Sequence, residues 1–232
     1  MTVTLITGAN KGLGYETAHQ LIEAGHTVYI GARSTERGEK AAADLGARFV
    51  QLDVTDDDSV QSAMKAVDVA EGRLDVLINN AGIADAHLGV EGVNPSEAAK
   101  VFDTNVIGVI RVTQAALPLL EKSDNPNIVN ISSSLGSFWA VTNHQRHESH
   151  NSFIVYGASK AAVSMLTVQY AKALPKVKVN AIEPGFTATD LTAAIGGGRP
   201  VEESAKVVVR MATLGANGPT GTFQETGGEL GW

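Results

Sequence analysis

Six short runs rich in branched apolar residues, each followed by a turn and a helical pattern, constrain this fold more than any other feature of the chain. The first, Val3–Thr7, opens into Gly8-Ala-Asn-Lys-Gly12-Leu-Gly14 and then into a helical stretch that ends near Glu23, where Gly25 is placed to close it. Further strands are expected at 26–30, 47–52, 74–78, 128–131 and 178–182, with helices between them at 34–45, 56–70, 95–120 and 152–174. Strands alternating with helices build a mostly parallel sheet that is covered on both faces. The expected class is therefore α/β, a doubly wound sheet with helices on both sides.

After the sixth run comes a looser region containing Gly196-Gly-Gly198, a helix at 201–211, and a glycine-rich tail with a short strand near 220–224. No repeat of fixed period and no low-complexity linker divides the chain, so residues 1–232 are read as one domain. A chain of 232 residues can bury roughly 70–75% of its unfolded surface and needs no metal or disulfide staple. Cysteine is absent, which excludes disulfides, thiol catalysis and cysteine-ligated zinc. A net charge of −7 argues against nucleic-acid or anionic-membrane partners. The most apolar long stretch, 101–120, is interrupted by Asp103, Asn105 and Arg111 and is too polar to span a bilayer. No basic segment and apolar run precede Val3, so a soluble cytoplasmic protein is expected.

The first turn is the earliest pointer to chemistry. Glycines at 8, 12 and 14 let the backbone approach a ligand, and a helix N-terminus behind them offers unpaired N–H groups to a pyrophosphate. The spacing differs from the usual G-x-G-x-x-G form, but the strand before it and the helix after it are in place. At the end of the second strand, a carboxylate would favour NAD and an arginine NADP. This chain has Gly31-Ala-Arg33-Ser34 there, with Lys11 as a second cation in the glycine loop. Arg33 and Lys11 together point to NADP; the plainer alternative is two solvated surface charges.

A second pointer lies between Ser132-Ser133-Ser134 and Tyr156-Gly-Ala-Ser-Lys160. Tyr156 and Lys160 stand four apart, one helical turn from each other on the same face. An ammonium beside a phenol favours the phenolate and lowers its pKa, which makes the tyrosine usable for proton transfer nearer neutrality. Alone, such a pair is a common coincidence of helical spacing.

With Tyr156-x-x-x-Lys160, the glycine loop and Asn79-Asn-Ala-Gly82 in this order, the chain resembles the short-chain dehydrogenase/reductase family from Val3 to about Asp190. The resemblance implies a single-domain Rossmann fold and an NADP(H)-dependent oxidoreductase. It places Gly8, Asn10, Lys11, Gly12, Leu13 and Gly14 in the phosphate loop. Asp53 and Val54 match the pair that contacts adenine, and Asn79, Ala81 and Gly82 match the segment lining the cofactor. Pro184, Gly185, Thr187 and Thr189, with Ile182, resemble the segment that meets the nicotinamide amide. Asn105, Ser133, Tyr156 and Lys160 match the family's catalytic tetrad, with Ser132 as the fallback serine. The implied mechanism has NADPH deliver hydride to a ketone or aldehyde carbon while Tyr156 donates the proton. Lys160 holds the ribose and keeps the phenol pKa low, Ser133 hydrogen-bonds the carbonyl oxygen, and Asn105 orders a proton-relaying water.

The chain departs from the commoner members of that family between Ser133 and Tyr156, which are 23 positions apart. The extra stretch is placed at 138–152, where the resemblance points to a carbonyl-reductase-like subgroup. Such an insertion obstructs tetramer-forming helix pairing, so a monomer or homodimer is expected. His144, His147 and His150 within it cannot share one narrow helical face, and no metal is expected. Phe138, Trp139, Phe153, Phe186 and Trp232 are each either pocket wall or packing residues. The substrate is expected to be read by 138–152 and 186–201. Two other functions remain compatible with parts of the pattern: an NAD(P)-dependent alcohol dehydrogenase running oxidatively, and a non-catalytic dinucleotide-binding sensor.

Overall fold

The computed structural model describes residues 1–85, 90–193 and 196–232, so parts of the 83–94 loop and of the 186–201 stretch lie outside the described residues. Strands β1 (Val3–Thr7), β2 (Thr27–Ala32), β3 (Arg48–Gln51), β4 (Val76–Asn79), β5 (Asn127–Ile131), β6 (Lys178–Ile182), β7 (Phe223–Glu225) and β8 (Gly228–Glu229) form one sheet. Its order is β3-β2-β1-β4-β5-β6-β7-β8. Every neighbouring pair is parallel except β7 with β8. The sheet is thus the mostly parallel one expected, closed at one edge by an antiparallel hairpin that the glycine-rich tail did not announce.

Successive side chains on a strand point to opposite faces, and the two sides of the core follow that alternation. Leu5, Leu77, Ile128 and Val179 pack toward α3 (Asp57–Glu71), α5 (Gly108–Leu120) and α7 (Ile154–Ala173). Ile6, Ile78, Val129 and Ile182 pack toward α1 (Gly12–Glu23), α2 (Thr35–Leu45) and α8 (Val201–Ala212). Strands buried on both faces read as continuous apolar runs, which is why they stand out in the sequence. Each fully buried Leu or Ile contributes about 1.5–3 kcal/mol of burial.

The expected helix over 95–120 is α4 (Pro95–Phe102) and α5 joined by a π-helical turn, Asp103–Ile107. The added residue in that turn accompanies a buried asparagine, Asn105. The 138–152 insertion forms a short helix, α6 (Phe138–Thr142), and a 3₁₀ turn, His147–His150. The strand expected near 220–224 is β7, at Phe223–Glu225, slightly beyond its expected place, because Phe223 is the residue that fills the core there.

The sheet order reverses at β1 and β4, whose following turns diverge to opposite sides. In open α/β sheets the crevice beyond the strand ends at such a reversal is where ligands bind.

Candidate active site

One wall of the crevice is the glycine loop. Gly8 has φ +64°, and a Cβ on it would lie 3.0 Å from Ala81 Cα. A Cβ on Gly14 would lie 2.5 Å from Asn80 Nδ2. The loop is pressed against the segment after β4, and hydrogen bonds fasten it there. Thr7 Oγ1 accepts from the backbone N–H of Asn80 at 3.0 Å and of Ala81 at 2.9 Å. Asn80 Nδ2 donates to Thr7 O at 2.8 Å. Asn80 was not singled out in the sequence; its signal is the polar doublet directly after a buried strand.

Helix α1 starts at Gly12 behind Lys11, with no side-chain cap and no acidic residue in its first turn. Its N-terminal N–H groups and positive dipole end are thus open to an anion. Arg33 is exposed at the end of β2. Asp53 follows β3; burial pushes its pKa up, but hydrogen bonds from Thr55 and the charges of Arg33 and Arg111 outweigh this and hold it low. The neighbouring Val54 is buried and touches the place where Gly108 lacks a side chain. Asn79 turns its side chain into the sheet–helix layer, donating to Asn130 Oδ1 at 2.8 Å and Thr113 Oγ1 at 3.2 Å.

The other wall carries Ser133, Tyr156 and Lys160, held in register by two glycines. A Cβ on Gly136 would lie 2.4 Å from the Lys160 carbonyl carbon, and one on Gly157 would lie 3.0 Å from Leu135 O. The 3₁₀ turn Ser134–Gly136 therefore sits directly on the backbone of α7. Ser133 caps that turn, its Oγ accepting from Leu135 N at 3.3 Å, and its hydroxyl lies close enough to Tyr156 to favour the phenolate. Ser132 faces inward instead, donating to Lys160 O at 3.0 Å and meeting Ser164 Oγ at 2.9 Å. The start of α7 has no cap of its own; Asp85, from the segment after β4, accepts from Tyr156 N at 3.2 Å.

Lys160 is buried, with Nζ 5.5 Å from the centre of the Tyr156 ring, and it donates to Ile131 O at 2.7 Å. Asn105 accepts from Ile83 N and donates to Ile83 O, both at 2.9 Å, and donates to Ser159 Oγ at 3.0 Å. Gly82 lies between them: a Cβ there would be 3.4 Å from Asn105 Oδ1 and 3.6 Å from Lys160 Nζ. The four candidate catalytic residues thus converge on one side of the crevice mouth.

The electrostatics differ from the simple phenol–ammonium pair. Burial pulls Lys160 down to about 8, with the Glu183 carboxylate opposing the shift. Burial pushes the Tyr156 phenol up, Glu183 pushes it further, and the Ser133 hydroxyl only partly counters them. The expected lowering of the phenol pKa is therefore reversed, because burial outweighs it and the Glu183 carboxylate adds to the rise. Glu183 went unnoticed in the sequence, although a carboxylate directly after a fully buried strand was available to see.

The Pro184-Gly185 segment leads into a loop that reaches back to the first wall. Ile182 is the last, buried residue of β6. Thr187 Oγ1 donates to Gly185 O at 2.8 Å and meets Ser204 Oγ at 2.7 Å. Thr189 Cγ2 would lie 3.5 Å from a Cβ on Gly12, and Lys11 Nζ lies 2.5 Å from Asp190 Oδ2. Lys11 is thus engaged by the facing loop.

The insertion is fastened to the C-terminal tail. Arg146 pairs with Glu148 and Glu225, each at 3.1 Å, and its guanidinium lies 5.4 Å over the Trp139 ring. Ser137 Oγ donates to Gly231 O at 2.6 Å, and Trp139 N donates to Trp232 O at 2.9 Å. Trp232 stacks on Phe223 with ring centres 5.4 Å apart. Trp139 and Trp232 thus have packing partners, while Phe138 stays largely exposed. His144, His147 and His150 are exposed, and among the described residues no group of three metal-ligating side chains gathers. No helix among the described residues is long and apolar enough to cross a membrane.

A family model for short chain dehydrogenases matches residues 2–199. Salutaridine reductase from Papaver bracteatum is 31% identical, over 97% of this chain and 94% of its own length. Among solved structures, an NADPH-bound carbonyl reductase from chicken fatty liver superposes with a TM-score of 0.87 at 27% identity, covering 100% of both chains. A 3-ketoacyl-(acyl-carrier-protein) reductase from Brucella melitensis, complexed with NADH, has a TM-score of 0.84 at 26% identity, over 97% of this chain and 96% of its own.

Proposed function

Because this chain belongs to the short-chain dehydrogenase family, and so to a family of oxidoreductases, we propose that it is an NADPH-dependent reductase of a ketone or aldehyde carbonyl. The observation that carries this reading is the convergence of Ser133, Tyr156, Lys160 and Asn105 at the rim of a crevice whose opposite wall is an uncapped helix N-terminus. That wall fits a dinucleotide: Gly8 and Gly14 leave room where side chains would clash, and the open end of α1 suits a pyrophosphate. Arg33, exposed at the end of β2 with no carboxylate beside it in sequence, suits a 2′-phosphate.

Bound in this crevice, NADPH supplies the hydride. Ser133 donates to the carbonyl oxygen and fixes its position. Tyr156, kept protonated by its surroundings, gives its proton to the oxygen as negative charge develops there. Lys160, held by Ile131 O, presents an ammonium to the same region and to the ribose hydroxyls. Asn105, anchored to Ile83 and Ser159, orders solvent behind Lys160 for reprotonation. A protein of this kind remains in the soluble fraction.

The test is a panel of ketones, aldehydes and quinones followed by loss of NADPH absorbance, repeated with NADH. Turnover of at least one carbonyl with NADPH preferred is the expected result. Dinucleotide binding without turnover of any carbonyl or alcohol would overturn the reading.

A further inference from the structure

Helix α7 begins without help from its own sequence. Its N-cap residue, Phe153, offers no side-chain acceptor, and its first turn carries no acidic residue. The hydrogen bonds of the helix itself start with Gly157 N donating to Phe153 O at 2.8 Å, so the N–H of Tyr156 is the last of those left without an intrahelical partner. Asp85 takes that N–H from 71 positions away, in the segment after β4, its Oδ1 accepting at 3.2 Å. A carboxylate suits the place, because it also meets the positive end of the helix dipole.

The carbonyl of the same tyrosine is held as well. Ser159 Oγ donates to Tyr156 O at 2.7 Å and accepts from Asn105 Nδ2 at 3.0 Å. Asn105 in turn grips both backbone groups of Ile83, each at 2.9 Å, and Ile83 lies two residues before Asp85. The contacts close a circuit: Tyr156 N–H to Asp85, along the chain to Ile83, over to Asn105, through Ser159 and back to Tyr156 O. Ser159 and Asn105 are 0% and 1% exposed, so their bonds are made out of water, and Asp85 is half-buried.

Resting on the reductase reading above, we propose that Asp85 is a positioning residue: it caps α7 from the segment after β4 and closes the circuit that fixes the backbone of Tyr156 against the turn carrying Asn105. The distance from the phenol to a substrate carbonyl is set by where that backbone sits. A displacement of about 1 Å at a reacting group costs up to about a hundredfold in rate. The glycine loop and the start of α1 hold the dinucleotide, so opening the circuit bears on turnover and not on cofactor affinity.

The experiment compares the full-length wild type with Asp85→Ala, Asp85→Leu and Asp85→Asn. Ala and Leu remove the acceptor at two sizes, so a folding failure of one leaves the other informative, whereas Asn keeps an oxygen at the same reach. The readouts are amide hydrogen exchange of the peptide spanning the start of α7, NADPH affinity by fluorescence, and kcat and KM with a carbonyl that the wild type reduces. The Ala and Leu variants are expected to exchange about tenfold faster or more at the start of α7 and to lose about ten- to a hundredfold in kcat, with NADPH affinity unchanged. Asp85→Asn is expected to stay within a few-fold of wild type throughout. Unmoved exchange or unmoved kcat in the Ala and Leu variants overturns the proposal. So does an equal loss in all three variants, which would make charge rather than the acceptor the cause, and so does a parallel loss of NADPH affinity, which would mean that the crevice itself has collapsed. The reductase reading fails separately. If the wild type turns over no carbonyl or alcohol while exchange still separates Ala and Leu from Asn, that reading falls and the tie from Asp85 to Tyr156 stands. If the wild type is an active reductase and exchange does not move, only the role of Asp85 falls.

Discussion

The glycine-loop wall and the serine–tyrosine wall hold the same crevice open by different means. The first is backbone against backbone: Gly8 on Ala81, with Thr7 and Asn80 exchanging hydrogen bonds across β1 and β4. Its functional groups are N–H donors and a helix end, so it tolerates change in side chains but not added bulk. The second adds to the close backbone contact at Gly136 and Gly157 a set of buried side-chain hydrogen bonds, gathered from α7, the serine turn, the π-helical turn and the segment after β6. Its functional groups have shifted proton affinities because they are buried beside one another. Binding should therefore be separable from chemistry by mutation.

Tyr156→Phe is the hardest test of that separation. It removes the proton donor and leaves the ring, so turnover is expected to fall about 10²–10⁴-fold. NADPH affinity, read by fluorescence titration, should barely change. Near-normal turnover would take Tyr156 out of the proton-donor role.

A pair of glycine substitutions comes next in size. A methyl on Gly136 meets the backbone of Lys160 and Ala161 at 2.4 and 2.5 Å, and no rotamer change relieves that contact. Gly136→Ala should cost about 1–3 kcal/mol in denaturant unfolding and lower turnover further as the serine turn is displaced, with NADPH binding retained. A methyl on Gly14 meets Asn80 Nδ2 at 2.5 Å and Ala9 Cα at 2.9 Å. Gly14→Ala should instead weaken NADPH. If each variant loses both properties together, the two walls are not independent.

Arg33→Ala bears on the cofactor alone. Loss of a charged hydrogen bond to a 2′-phosphate should weaken NADPH about ten- to a hundredfold and leave NADH nearly unchanged. Equal losses for both dinucleotides would remove the basis for choosing NADP.

The same division explains what could be read from the residues alone. The glycine loop, Asn79-Asn-Ala-Gly82 and the strand–helix alternation are local in sequence, and strands buried on both faces show as apolar runs. Tyr156 and Lys160 are one helical turn apart and equally local. Glu183 acquires its partners 49 positions away at Ser134, and Arg146 meets Glu225 across 79 positions, so neither contact leaves a pattern in a window of sequence. The π-helical turn at Asp103–Ile107 was masked by an apolar helical periodicity that continues through it. Even the direction of the Tyr156 shift is set by its burial, to which Glu183 adds, and helical spacing shows neither.

The smallest expected effect lies where the two walls touch. Lys11, in the glycine loop, and Asp190, in the loop beyond Thr189, form an ion pair at 2.5 Å with both side chains largely in solvent. Exposed pairs of this kind contribute little to stability and are screened by salt. Their effect should therefore appear in cofactor affinity: while Asp190 holds the ammonium, Lys11 is drawn away from a phosphate. Asp190→Asn should leave thermal stability unchanged and tighten NADPH a few-fold at low ionic strength, with the gain shrinking as salt is added and NADH less affected. Weaker NADPH binding would mean instead that the bridge between the loops helps to close the crevice, and that the two walls are coupled at this one point.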